Sequence, residues 1–215
     1  MPITPDRLLH IDDDLLAVCK LSGELVVRGK GPLQRLPLFD FLRKEYPGLR
    51  VLHRLDFETS GVVLFARTKQ AADSVLTSGF SGWRKTYIAL VAGRVEGKGD
   101  VIRKKLPARS GGFVDAVTTY RVLKRFDDAS LIEAEMTSGR HHQIRRHFAF
   151  INHPLLLDPQ YGDARRNAAF TRKTRYRKFF LHASCVDLPH PVTGKNLRIT
   201  APLPKAFRQA LTYLK

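Results

Sequence analysis

Hydrophobic and polar positions fall into short blocks along this chain, and the period changes from block to block. Leu8 to Val18 holds two apolar runs on either side of Asp12-Asp13-Asp14, the pattern of two strands around a polar turn. Lys20-Leu21-Ser22-Gly23 reads as the next turn, ahead of Leu25-Val26-Val27. Leu38, Phe39, Phe41, Leu42 and Tyr46 form a helix-like stripe that Pro47-Gly48 stops. Val62 to Ala66 is apolar without interruption, as expected of a strand covered on both faces. Thr68 is placed to cap a helix over Lys69 to Ser78, with Ala71, Ala72, Val75 and Leu76 on one side and Gly79 as its stop. Trp83 to Gly93 reads as a long strand with Lys85, Tyr87, Ala89 and Val91 sharing one face.

The second half follows the same logic. Gly97 to Gly112 reads as a basic surface loop or arm carrying Arg103, Lys104, Lys105 and Arg109. Ala116 to Leu123 and Ala129 to Thr137 read as paired strands around Asp127-Asp128; in the second, Ile132, Ala134 and Met136 alternate with Glu133 and Glu135. A turn at Ser138-Gly139 opens a helix with Ile144, Phe148 and Ile151 on its apolar side. Phe179 to Val186 reads as a strand, Pro191 to Lys195 as a turn, and Asn196 to Thr200 as another strand. Pro204 starts a last helix with Phe207, Leu211 and Leu214 inward. Many strands at hairpin-like spacing with few helices point to the α+β class. No internal repeat or low-complexity linker interrupts the 215 residues, and one domain over 1–215 is the expectation.

Charge narrows the class of partner. The chain has 37 Lys+Arg against 20 Asp+Glu, a net +17, which favours a polyanion: nucleic acid first, an anionic membrane surface second. No apolar stretch approaches the ~20 residues of a membrane span, and MPITPDRLLHIDDD has no secretory apolar core. Two cysteines, Cys19 and Cys185, are too few for a disulfide framework or a structural zinc site, so a reducing cytoplasm is expected. Between Ala164 and Val186 no acidic residue occurs, while Arg165, Arg166, Arg172, Lys173, Arg175, Arg177 and Lys178 interleave with Phe170 and Tyr176. Such a run is often only a solvated face, but seven unopposed charges favour contact with RNA.

The densest chemistry lies in His53-Arg54-Leu55-Asp56-Phe57-Glu58-Thr59-Ser60-Gly61. Here a loop with opposite charges at Arg54 and Asp56 runs straight into the buried strand, so a carboxylate is carried on rigid support. On its own the pattern also suits an ordinary aspartate that bonds backbone amides before a turn. The complete motif resembles the signature of the RluA-type pseudouridine synthases: His-Arg-Leu-Asp, two variable residues, Thr-Ser-Gly and an apolar strand. Three further segments are similar to that family. Lys85, Tyr87 and Ala89 fit its Lys-x-Tyr-x-Ala pattern, and Leu181-His182-Ala183 fits another segment. Gly139, Arg140, His142, Gln143, Ile144, Arg145 and His147, then His153-Pro154, fill every fixed position of the third. Two departures stand out. Cys19 and Leu21 flank Lys20 where the family usually has Asn-Lys-Pro, and Leu157-Asp158 stands where it tends to have Gly-Asp.

The resemblance implies a pseudouridine synthase catalytic fold, a mixed, largely antiparallel sheet with flanking helices, and conversion of specific uridines to pseudouridine in structured ribosomal or transfer RNA. Asp56 is then the catalytic carboxylate. Arg54 fills the space of an extruded base, Leu181 lines the uracil pocket, and Arg140 contacts substrate; Tyr87 stacks on the target base, with its hydroxyl available for proton transfer, unless it is only a core tyrosine of its strand. Arg145 is implied to pair with Asp56 and hold it ionised. Lys20 is either a retained RNA-facing residue or a solvated lysine in a turn. No cofactor is expected, since nothing is transferred or oxidised and no phosphate-loop or dinucleotide glycine pattern occurs. No metal is expected either: His141, His142, His147 and His153 share their spacing with no carboxylate or cysteine. Family-like sequence begins near Leu8, which leaves no room for a preceding S4 RNA-binding domain, and a monomer is the simplest expectation. Two rivals remain: an RNA-binding module of the same fold without catalysis, which would lack Asp56, Tyr87 or Arg145, and a hydrolase using Asp56 with Glu58.

Overall fold

The apolar run at Val62 to Ala66 becomes a strand with every residue buried, and its neighbours assemble around it. The computed structural model describes residues 3–29, 36–108 and 111–215. In chain order, a short 3-10 turn at Pro5–Arg7 precedes β1 (Leu8–Ile11) and β2 (Leu15–Lys20), then α1 (Leu38–Glu45), β3 (Arg50–Val51), β4 (Ser60–Ala66) and α2 (Lys69–Ser78). Next come β5 (Arg84–Ala92), β6 (Gly99–Arg103), β7 (Leu106–Pro107), β8 (Phe113–Val114), β9 (Val117–Arg125) and β10 (Ala129–Met136). The chain ends with α3 (Gln143–Phe150), α4 (Ala164–Thr174), β11 (Leu181–Pro189), β12 (Asn196–Thr200) and α5 (Lys205–Thr212). Helices flanking largely antiparallel strands make this the α+β class read from the sequence. Among the described residues, no helix is long and apolar enough to cross a membrane.

The chain divides into two compact units. The first comprises Met1–Arg84 and Ala183–Pro202. In it β2 pairs antiparallel with β1 and with β4, β3 pairs with the end of β4, and β12 pairs with β11. Leu15, Ala17, Val62, Leu64, Val75, Trp83, Val186 and Ile199 form its core with α2 laid against them. The cap and stop of α2 are those expected: Thr68 Oγ1 accepts the Ala71 amide at 3.2 Å, and Gly79 turns left-handed at φ 57°. Gly61 has a sharper constraint. It sits at φ +117°, and a Cβ there would lie 2.1 Å from the Ala183 carbonyl oxygen, so only glycine lets β4 start against this backbone.

The second unit comprises Lys85–His182 and Leu203–Lys215. Its strands run β5-β10-β9-β6, each pairing antiparallel. Leu90, Phe126, Leu156, Phe170, Phe180 and Phe207 form its core. Burying each such aromatic contributes about 2–3 kcal/mol, which fixes α4 and α5 in place. One expectation differs from the structure. The 97–112 arm contains the edge strand β6 and part of the β7–β8 hairpin rather than loop alone; Arg109 lies outside the described residues. The basic run contains α4, with Asp163 Oδ1 accepting the Arg166 amide at 2.8 Å as its cap.

Candidate active site

In the first unit, the Asp56 loop hangs between β3 and β4 and is held from both ends. His53 Nε2 accepts the Leu64 amide at 3.1 Å, and the His53 ring meets Trp83 edge-on at 5.9 Å. Leu55 is buried, Arg54 is exposed, and Asp56 is half-buried. The Thr59 amide donates to the Asp56 carbonyl at 3.2 Å, closing a tight turn directly after the carboxylate. The Gly23 amide donates to the Phe57 carbonyl at 2.8 Å and ties this turn to the one after β2. Thr59 Oγ1 is, among the described residues, the buried side-chain oxygen left with no hydrogen-bond partner.

Lys20 requires a correction. It was expected either to face RNA or to lie solvated, yet its side chain is fully buried, with 0% exposure. Its ammonium donates to three carbonyls: Thr59 at 2.6 Å, Phe57 at 2.9 Å and Leu21 at 3.0 Å. The physical reason is local. The turn after Asp56 points its carbonyls inward, and a long cationic side chain at the end of β2 is the donor that satisfies them. Burial pushes the Lys20 ammonium down to about 8, against the attraction of Glu24, Asp56 and Glu58. Lys20 therefore builds the platform beneath Asp56.

That shift sets a pH window. An unfolded lysine titrates near 10.5, so between pH 8 and 10 the unfolded chain binds more protons than the folded one, and stability rises with pH. Lys20→Met is expected to lack about 2–3 kcal/mol of this rise, read from urea unfolding at pH 7, 8, 9 and 10. An identical slope in the variant would sink the assignment.

In the second unit, Lys85 and Tyr87 lie on the buried face of β5, opposite Met136 and Ala134 of β10. Burial also lowers Lys85 to about 8. The loop after β10 is bolted down by Gln143, the first residue of α3. Its Oε1 accepts from Ser138 Oγ at 2.8 Å and from the Arg140 amide at 3.1 Å. Its Nε2 donates to the Val117 carbonyl at 2.9 Å and to Thr118 Oγ1 at 3.2 Å. One buried amide thus fixes the loop that carries the exposed Arg140 against β9. His142 adopts a left-handed backbone, φ 54°, at the start of α3 and stacks on His141 at 3.7 Å. His147 is fully buried between Thr118 Oγ1 at 2.9 Å and the Lys104 carbonyl at 3.1 Å, and burial lowers its pKa, which suits a neutral structural imidazole. Leu181 is buried at the start of β11.

Arg145 is almost fully buried, and its Nε and Nη2 donate to Asp158 Oδ2 and Oδ1 at 2.7 and 2.8 Å. Its guanidinium also lies 5.1 Å from both the Tyr161 and Phe179 ring centres. Burial pushes Asp158 up, but Arg145 and the Gln160 and Tyr161 amides outweigh it, so the carboxyl titrates below its ordinary value. Asp158 is the residue the sequence reading left out: it was noted only as part of a departure from the family pattern. The preceding Leu157 takes φ 64°, a left-handed conformation that suits the family's glycine and that leucine adopts here at a cost.

The Asp56 loop of the first unit, and β5 with Tyr87 and α3 of the second, carry the motifs that resemble those of the pseudouridine synthases, and comparison with known proteins gives the same class. The family described as RNA pseudouridylate synthase matches residues 14–150. Ribosomal large subunit pseudouridine synthase C of Vibrio cholerae serotype O1 is 34% identical across 97% of this chain and 69% of its own length. Its namesake from Salmonella typhimurium is 33% identical across 98% and 70%. The solved structure of human RNA pseudouridylate synthase domain containing 4 superposes with a TM-score of 0.80 at 25% identity, over 97% of this chain and 93% of that one. The chain belongs to the RNA pseudouridylate synthase family, as the RluA-type motifs led one to expect.

Proposed function

We propose that this protein converts specific uridines of structured RNA to pseudouridine, with Asp56 as the catalytic carboxylate. The carrying observation is the Lys20 platform: two contacts to the Phe57 and Thr59 carbonyls, and a third to Leu21, brace the turn after Asp56 while its carboxylate stays half-buried. The reaction breaks the bond from the ribose C1′ to N1 of uracil and forms one from C1′ to C5. The C5 proton is lost and N1 gains one, so the product is an isomer and no co-reactant is consumed. Asp56 attacks at the sugar or the ring and leaves again when the new bond forms. A paired or stacked uridine is first extruded, and the exposed Arg54, on the same loop, fills the space it leaves.

Tyr87 stacks on the extruded base, Leu181 gives its pocket an apolar wall, and Arg140 contacts the RNA backbone. Arg145 orients Asp56 by charge. Ribosomal RNA is the first candidate substrate because the relatives are named for the large ribosomal subunit; transfer RNA is the second. The protein acts in the cytoplasm as a monomer, both units serving one catalytic domain. The test is pseudouridine mapping of ribosomal and transfer RNA from cells lacking the gene, with and without the wild-type copy. One or more sites should vanish and return. An unchanged map in both RNA classes would overturn the reading.

A further inference from the structure

The basic run read from the sequence gains a definite face in the structure. Along α4, Arg165, Arg166, Ala168, Ala169, Arg172 and Lys173 are exposed, whereas Phe170 and Thr174 are buried. Phe170 packs edge-on against Phe180 at 5.6 Å, which sets the orientation of the helix. Arg165 and Arg172, like Arg166 and Lys173, are two turns apart, about 10.5 Å. The alanines between them keep the helix surface low, with cations at its rims. Among the described residues, none of these four cations forms an ion pair with an acid. Two of the four cations are also placed against the helix's own interest, whereas Arg172 and Lys173, in the last turn, suit its dipole. The first turn holds Arg165 and Arg166 and no acidic residue, where the macrodipole favours anions. The Asp163 cap offsets part of that cost at the N-terminus, and an external anion would offset more.

The helix is also fastened to the arginine site. Asn167 Oδ1 accepts the Leu157 amide at 2.7 Å, and its Nδ2 donates to the Asp158 carbonyl at 3.3 Å. Asp158 is the carboxylate that grips Arg145.

We propose that the outward face of α4, through Arg165, Arg166, Arg172 and Lys173, grips the sugar-phosphate backbone of structured RNA, and that Asn167 fixes this grip to the turn holding Arg145. The proposal rests on the RNA-modifying reading above. Three of the four cations are arginines, whose planar fork matches phosphate oxygens two at a time. A membrane surface fits less well: a helix lying on lipid needs bulky apolar residues beside its charges, and the exposed apolar residues of α4 are three alanines. A protein partner would want an apolar anchor on the same face.

The experiment compares wild type with a variant carrying Arg165→Ala, Arg166→Ala, Arg172→Ala and Lys173→Ala. Alanine is the best helix former, so the exposed helix survives, and circular dichroism confirms it. Affinity for a mixed-sequence 20-base-pair RNA duplex and for in vitro transcribed large-subunit ribosomal RNA is measured from 50 to 300 mM KCl. Loss of four phosphate contacts should flatten the log–log salt dependence by about 3 and weaken binding ten- to a hundredfold at 100 mM salt. A variant with the three arginines changed to lysine should keep the slope. Single-turnover pseudouridine formation at saturating enzyme should be unchanged in rate. An unaltered salt slope overturns the proposal, as does loss of binding to phosphatidylglycerol vesicles with RNA affinity intact. The slope is read without catalysis. If wild type forms no pseudouridine, the catalytic reading fails alone; if it does and the slopes coincide, the α4 inference fails alone.

Discussion

Asp56→Asn is expected to remove pseudouridine formation by on the order of 10⁴-fold or more, the scale on which removing a covalent catalyst acts, while RNA affinity stays within a few-fold of wild type. The change keeps the size and polarity of the side chain and deletes only its charge and nucleophilicity. The loop is held by the His53 contact to Leu64 and by bonds from the Thr59 and Gly23 amides and Lys20 to the Asp56, Phe57 and Thr59 carbonyls, all of which the substitution leaves in place. The fold should therefore survive. One secondary effect follows from electrostatics: Asp56 is among the groups holding Lys20 protonated, so its neutralisation should lower the Lys20 pKa further. Single-turnover assays on ribosomal RNA, with binding measured in parallel, provide the check. Near-normal turnover by Asp56→Asn would remove Asp56 from the chemistry.

The second large effect is on stability. Arg145→Met should cost about 3–5 kcal/mol, because it leaves a buried carboxylate with its charge uncompensated. For a chain of this size that is a fall in Tm of about 10 °C or more. Arg145→Met combined with Asp158→Leu should cost less than Arg145→Met alone plus Asp158→Leu alone, since neither charge is then stranded. The pair also has an acid signature. Asp158 titrates below its ordinary 3.8 when folded, so its contribution is present above about pH 4 and lost as pH falls through the folded value. Wild type should lose stability there more steeply than the double variant. Thermal melts and urea unfolding between pH 3 and 7 decide it, and additive costs would show that the two side chains act independently.

What the sequence made legible follows from where its signals are strong. The limits of α2 and β12 come out as read because a cap, a left-handed glycine and a turn are local devices. β4 was equally plain, since a strand covered on both faces must be apolar throughout. α4 escaped notice because its inward positions include Asn167, Thr171 and Thr174, too polar to draw an apolar stripe, and only Phe170 marks its core side. β6 was hidden for the opposite reason: it is an edge strand, exposed at four of five positions, and shows no alternation. For the site, the motif pointed to Asp56, Arg54, Tyr87, Arg140, Arg145 and Leu181, whose roles experiments of this kind test. It gave no sign that Lys20 would be buried, because backbone carbonyls that hold an ammonium leave no mark in sequence. Nor could spacing reveal that Arg145 grips Asp158, thirteen residues later.

The buried ammonium of Lys20 also makes this protein its own reporter. An amine whose proton affinity is lowered to about 8 has a far larger reactive fraction at neutral pH than any surface lysine, yet it is sealed beneath the Asp56 turn. An acylating reagent can reach it only when that turn lifts away. The rate of labelling at this one position, followed by peptide mass spectrometry, therefore counts how often the Asp56 loop comes undone. Adding RNA should slow the count if substrate seals the loop, and speed it if substrate entry has to pry the loop open.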